Sequence, residues 1–148
     1  MVVICPDTFD EVERYSEYFN YFDGFDLSSF QKWAIKSIVD NQHILVTAHT
    51  GSGKTLPAEF AIQYFVSKGK KVIYTAHIKA LSNTKLYDLR NKYPEISFGI
   101  ITGDITDNPE ADVLIMTTEI LPNTIMNRKL RTTNENIKLD FEIDFEND

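Results

Sequence analysis

The segment AHTGSGKT, residues 48–55, lies between an apolar run, HILVTA (43–48), and a helix-forming stretch, TLPAEFAIQYFVSKG (55–69). Its reading decides the fold. Gly51 and Gly53 let the backbone curl so that successive N–H groups point inward, the geometry that cradles phosphate oxygens. A helix starting at the end of the loop adds a partial positive charge of about half a unit. Lys54 would then reach the β- and γ-phosphates of a nucleotide, and the Thr55 hydroxyl would ligate Mg²⁺. Pro57 falls in the first helical turn, where its missing N–H does little harm. Strand, loop, Lys-Thr pair and helix coincide, so a phosphate-binding loop is expected. Its nucleotide-binding residues are Thr50, Gly51, Ser52, Gly53, Lys54 and Thr55. The general pattern is GxxxxGK[ST], and Ala48 stands here where the first glycine usually does.

Outward from the loop, apolar runs alternate with helical patterns. HILVTA reads as a buried strand. KKVIYTA, SFGIIT and ADVLIMT read as three more, the last followed by TEIL and a short helix. KALSNTKLYDLRNKY reads as a helix with Leu81, Leu86 and Leu89 apolar, and DITDNPE as a turn. Ahead of the loop, Ser28 and Ser29 can cap a helix, FQKWAIKSIVDN, with Phe30, Trp33, Ala34 and Ile38 on one face. Continuous apolar strands alternating with helices imply an α/β fold, a parallel sheet with helices on both faces.

Composition sets the bounds. The 148 residues are 43% hydrophobic and 12% aromatic, enough for one core and too apolar for a disordered chain. No apolar run approaches a membrane span, and the start, MVVICPDTFDEVE, lacks the pattern of a secretory leader. Cys5 is the single cysteine, expected as a small buried or half-exposed hydrophobe. The net charge of −7 is unevenly spread: the first 26 residues carry seven acids against Arg14, and residues 139–148 carry five acids and no base. The body between them is at +4, compatible with a nucleic-acid partner without requiring one.

The form AxxGxGKT, together with FDLSSFQ (25–31), YTAHIKALSNTK, TGD (102–104) and MTTEIL (116–121) in this order, resembles the N-terminal RecA-like domain of the Ski2/Mtr4-type DExH-box helicases of superfamily 2. The resemblance implies a P-loop NTPase RecA-like domain over residues 25–126, here incomplete. An acidic, aromatic extension (1–24) precedes it and a polar, acidic tail (127–148) follows. It implies ATP and Mg²⁺ as cofactors, with Phe25 stacking on adenine and Gln31 reading its edge. It implies nucleic-acid contacts from Lys79, Ala80, Leu81 and Ser82, from Thr102, Gly103 and Asp104, and from Thr117, Thr118 and Glu119. The implied partners are a single strand, RNA ahead of DNA, and a second RecA-like domain, in an intracellular setting: cytoplasm, nucleus or, for a viral protein, the virion or viral factory. Two departures stand out: His77 replaces the usual proline, and Pro122 falls early in the helix after TTE, expected to shorten or bend it.

No DExH string follows residue 121, so no catalytic residue is assigned in these 148 residues. Phe9-Asp10-Glu11-Val12-Glu13 has Glu where such a box has His, precedes the loop, and reads as part of the acidic extension. LDFEIDFEND (139–148) alternates apolar and acidic residues and reads as the lead into a further strand or as a loosely docked tail. The expected function is the ATP-binding part of an ATP-dependent RNA helicase, inactive alone. Two alternatives stay open: a nucleotide- or RNA-binding module that does not hydrolyse, and a small P-loop kinase, which would need a lid with arginines, whereas the bases after the loop are mostly lysines and Arg128 and Arg131 lie in the polar tail.

Overall fold

The computed structural model describes residues 3–10, 13–22, 24–76 and 79–122, without the side chains of 79–81. His77, Glu11, Val12, Arg128, Arg131 and the tail 127–148 lie outside the described residues, as does the helix expected beyond Pro122. The chain divides into two units, Met1–Gln63 and Tyr64–Asp148.

In the first unit, helix α1 (Glu13–Phe19) runs into a 3-10 turn (Asn20–Phe22), and helix α2 (Ser29–Val39) follows. Ser28 caps α2 in an extended conformation, and its backbone N–H donates to the Gln31 side-chain oxygen at 2.9 Å. That bond satisfies one of the donors a helix start leaves open. Asn41 ends α2 in the left-handed region (φ 57°), with its N–H on the Ile38 carbonyl and that of Gln42 on Ser37. This is a Schellman turn with asparagine in the place glycine usually takes. The buried face of α2 is Gln31, Ala34, Ile35 and Ile38. Ala34 and Ile38 lie on it as expected, whereas Phe30 and Trp33 are only half-buried. Trp33 turns instead to the N-terminal strap: its ring lies 4.8 Å from that of Phe9, and its indole N–H donates to the carbonyls of Pro6 (3.1 Å) and Thr8 (3.3 Å).

The extension is bound to this unit by two further groups of contacts. Tyr15 and Lys36 both donate to the Asp40 carboxylate, at 2.8 and 2.7 Å, and Arg14 lies 3.4 Å from it. The rings of Tyr18, Tyr21 and Phe22 lie 5.7–6.2 Å from that of the fully buried Phe60. Aromatic pairs of this kind contribute about 0.5–1.5 kcal/mol each beyond buried area. Cys5 is exposed, against expectation, because the strap outside the Trp33 contacts has no core of its own. Phe60 belongs to helix α3 (Thr55–Ser67). That helix stops at Gly69 (φ 70°) in a second Schellman turn, the N–H of Lys70 reaching the Phe65 carbonyl at 3.0 Å.

In the second unit, strands β1 (Val72–Ala76), β2 (Phe98–Ile101), β3 (Thr106–Asp107) and β4 (Val113–Thr117) form one sheet in the order β1-β4-β2-β3. β4 lies parallel to both β1 and β2, with Val72 and Phe98 each opposite Val113. These are three of the four continuous apolar runs of the sequence, and every residue of the central β4 is buried. Helix α4 (Lys79–Lys92) packs on the sheet with Ser82, Leu86 and Leu89 buried. β3 pairs antiparallel with β2 and lies within the stretch expected to be only a turn. It passes so close that a β-carbon on Gly99 would collide with the Asn108 carbonyl oxygen. HILVTA does not form a strand: residues 42–49 are irregular and Leu45 is 88% exposed. A strand exists through its ladder partners, and none of the described residues pairs with this run.

Candidate functional site

The loop expected to bind phosphate, residues 48–55, lies wholly in the first unit. Gly51 (φ 82°) and Gly53 (φ 86°) hold conformations that other residues rarely adopt. The loop tightens through the Ser52 N–H on the His49 carbonyl, 3.2 Å, and α3 begins with the Leu56 N–H on Gly53, 3.2 Å. Thr50 and Gly51 are exposed, while Ser52, Lys54 and Thr55 are half-buried. The Lys54 ammonium folds back and donates to the Ala48 carbonyl at 2.5 Å. Ala48 therefore supplies the seat for the lysine through its backbone, which needs no particular side chain. The Ser52 hydroxyl is buried and makes no hydrogen bond among the described residues. A buried donor left open inside such a loop is a place for an incoming acceptor.

Gln31 is 7% exposed, and both ends of its amide are engaged. The oxygen accepts the Ser28 N–H, and the nitrogen donates to the Gly53 carbonyl at 3.1 Å. In this conformation Gln31 ties the start of α2 to the crest of the loop. The adenine-edge role that the resemblance implies would require it to release one of these bonds. Phe25, by contrast, is 73% exposed and offers a free face for stacking.

The described residues fit Mg²⁺ only in part. Thr55 can give one oxygen, and among the described residues no group of three His, Cys, Asp or Glu side chains could hold a metal. Mg²⁺ commonly binds through one or two protein oxygens, substrate phosphates and retained waters, so a nucleotide must bring most of the shell.

The implied nucleic-acid residues all lie in the second unit. Since β1, β2 and β4 are parallel, Lys79–Ser82, Thr102–Asp104 and Thr117–Glu119 follow their carboxyl ends at one edge of the sheet, where α/β sheets bind ligands. Their side chains are less available than the pattern implies. Ser82 is fully buried on the sheet-facing side of α4, and Thr117 is buried with its hydroxyl unpaired among the described residues. Thr102 accepts the Ile105 N–H at 3.2 Å and closes a turn. The Thr118 N–H reaches the Ala76 carbonyl, 3.3 Å. Gly103, Asp104 and Glu119 face solvent. The side chains of Lys79, Ala80 and Leu81 lie outside the described residues.

Sequence pattern gave no sign of a further feature of the first unit, a cavity of about 590 Å³ lined by Glu13, Asn20, Phe25 and Lys32 among others. Its walls join the extension to Phe25, Asp26 and Leu27 of FDLSSFQ and to Lys32 of α2.

Comparison with known proteins agrees with the motif order. Residues 28–140 match the sequence model of the family described as DEAD/DEAH box helicase. The chain is 50% identical over 97 residues to mRNA transport homolog 4 of Caenorhabditis elegans, a match covering 66% of this chain and 9% of that protein. Over the same length it is 46% identical to the antiviral helicase SKI2 of Saccharomyces cerevisiae and to the exosome RNA helicase MTR4 of Homo sapiens, covering 8% and 9% of them. The match thus spans about a tenth of the length of these relatives.

Proposed function

Because the chain belongs to the DEAD/DEAH box helicase family, we propose that it is the nucleotide-binding part of an ATP-driven RNA helicase, holding ATP·Mg²⁺ at the loop and touching a single strand at the sheet edge. The observation that carries the reading is the Lys54–Ala48 bond beside the two left-handed glycines. The two glycines give the loop the backbone curl of a phosphate cradle, and its lysine is held by the loop's own backbone. When a nucleotide arrives, Lys54 exchanges the Ala48 carbonyl for phosphate oxygens, a charge-assisted and stronger pairing. The loop N–H groups and the start of α3 hold the rest of the triphosphate. Thr55 is the residue that would give a hydroxyl to Mg²⁺, whose charge would neutralise that developing on phosphate. Gln31 holds the Gly53 carbonyl through its amide, and Phe25 stacks on the base.

Hydrolysis also needs a carboxylate for Mg²⁺ and one to orient water, together with an arginine from a closing second domain. The DExH carboxylates are not among these 148 residues, so binding without turnover is expected of the chain. On the strand side, buried Ser82, Thr102 and Thr117 support the sheet edge, leaving Lys79, the backbone around Gly103 and the half-buried Thr118 to meet phosphates. Contacts of that kind carry no sequence information, so RNA binding is expected to tolerate any sequence.

The test is equilibrium binding of ATP and ADP to the 148-residue chain and its Lys54→Ala variant, with phosphate release measured alongside. Expected are binding weakened at least about tenfold in the variant, roughly 1.4 kcal/mol, and turnover close to background in both. Equal affinity in the two proteins would remove the loop from the site.

A further inference from the structure

We propose that the N-terminal extension, which lies ahead of the family match at residue 28, is a clamp that sets the loop expected to bind phosphate. It grips both helices that reach the loop, with Tyr15 as the positioning residue on α2 and Tyr21 as the one on α3. The inference rests on the nucleotide reading above and goes beyond it by giving residues outside every motif a hold on affinity.

Both helices meet the loop at one atom. α3 starts at Thr55, and the Leu56 N–H in its first turn donates to the Gly53 carbonyl at 3.2 Å. α2 reaches the same oxygen through the Gln31 amide, which donates to it at 3.1 Å. A carbonyl oxygen has two lone pairs, and here each is directed to a different helix. A change in the angle between α2 and α3 is therefore felt at the crest of the loop.

The extension holds α2 near both of its ends. Just past the end, the Tyr15 hydroxyl donates to the Asp40 carboxylate at 2.8 Å, beside the Lys36 ammonium at 2.7 Å. In the first turns, the Lys32 ammonium lies 5.8 Å from the centroid of the Phe19 ring, and Trp33 packs edge-on against Phe9. Phe9 lies in turn 5.6 Å from Phe19, so strap and α1 form one cluster against this end of the helix.

On α3 the grip is on Phe60. The rings of Tyr18, Tyr21 and Phe22 lie 5.7–6.2 Å from it, and it is fully buried. Phe60 is less than two helical turns from Thr55, a span over which an α-helix moves as a rigid rod. A tilt of α3 at Phe60 thus carries with it the N–H groups at its start. All of these residues belong to the first unit.

The consequence is preorganisation. A phosphate cradle binds through several N–H groups that must converge on one anion, and holding them in place beforehand lowers the ordering that binding has to supply. The clamp acts on the loop and not on base or ribose. It therefore alters the hold on phosphate to the same extent whatever the phosphate is attached to.

The experiment is equilibrium binding of ADP and of inorganic triphosphate, which has no base, to the 148-residue chain and its variants. Tyr15→Phe removes one hydroxyl and keeps the ring. Tyr21 is 53% exposed, so Tyr21→Ala removes a ring with little loss of buried area, and Tyr21→Phe keeps that ring. Thermal melts fix a temperature at which each variant is folded, and amide exchange is followed at residues 51–53. Expected for Tyr15→Phe and Tyr21→Ala is a loss of affinity of roughly threefold to tenfold, equal for the two ligands, with faster exchange at 51–53. Tyr21→Phe retains the parent affinity. Folded Tyr15→Phe and Tyr21→Ala chains with undiminished triphosphate affinity overturn the clamp and leave the extension as packing alone. A loss confined to ADP overturns it too, because the effect then lies at the base. Should Tyr21→Ala fail to fold, Tyr15→Phe decides by itself. Triphosphate binding indifferent to Lys54→Ala is a separate result, which overturns the loop reading and this inference with it.

Discussion

Two glycines show how differently one absent β-carbon can act. Gly53 lies at φ 86°, and a β-carbon there would sit 2.6 Å from the Gln31 amide nitrogen. Gly99 has no positive φ, and its β-carbon would strike the backbone of Asn108 and Asp107. Gly53→Ala should therefore break the loop tie and lose nucleotide binding while the fold survives. Gly99→Ala should drive β3 off β2 and lower stability by about 1–3 kcal/mol, as overpacking does. Urea midpoints and nucleotide affinity measured on both variants check this. A Gly53→Ala variant that binds normally would contradict the role given to the Gln31–Gly53 bond. Asp40 adds a pH signature. Burial raises its carboxyl pKa, but hydrogen bonds from Lys36 and Tyr15 and the charges of Lys36 and Arg14 outweigh that and hold it below the ordinary value of 3.8. A lowered carboxylate contributes stability that is present above the unfolded value and is lost as pH falls through the folded one. The chain should lose stability below about pH 4 on this account. Asp40→Asn should flatten that acid limb in thermal melts taken from pH 6 to 3.

At the scale of elements, what could be read from sequence depended on where each element's partners lie. VIYTA, FGII and VLIMT were legible because a buried parallel strand is apolar throughout. HILVTA has the same composition and forms no strand, since pairing is a property of neighbours. β3, two exposed polar residues, left no periodic trace at all. The loop was legible as local chemistry, but the double engagement of Gln31 joins residues 22 apart in the chain and was not. Trp33 shows the same limit. Its indole hydrogen bonds hold the strap at Pro6 and Thr8 against α2, which its place in a helical pattern could not disclose. Trp33→Phe keeps a ring against Phe9 and removes both bonds. Faster amide exchange and earlier proteolysis within residues 5–10 are expected, with α2 itself unchanged. An equally protected strap would mean that ring packing alone holds it.

For the molecule as a whole, charge and topology decide behaviour. On the proposed function, a body at +4 with acidic ends should give a weak and salt-sensitive hold on a polyanion. Deleting residues 139–148 removes five like charges and should tighten binding of a labelled single-stranded RNA, with a steeper fall as salt rises. Lys79→Ala should reduce the salt slope by about one. If neither change alters affinity or slope, the strand does not cross this edge. The sheet also imposes an order of events during synthesis. β1 and β2 both pair with β4, which comes last of the four, so β4 is inserted between two strands already made. At a ribosome adding about 5–20 residues per second, β1 waits a few seconds, roughly forty residues of chain, before its ladder partner exists. Through that interval α4 can cover one face of β1, but the edge that pairs with β4 stays open to other nascent chains. The yield of soluble protein should therefore follow translation speed between Ala76 and Val113 more closely than equilibrium stability.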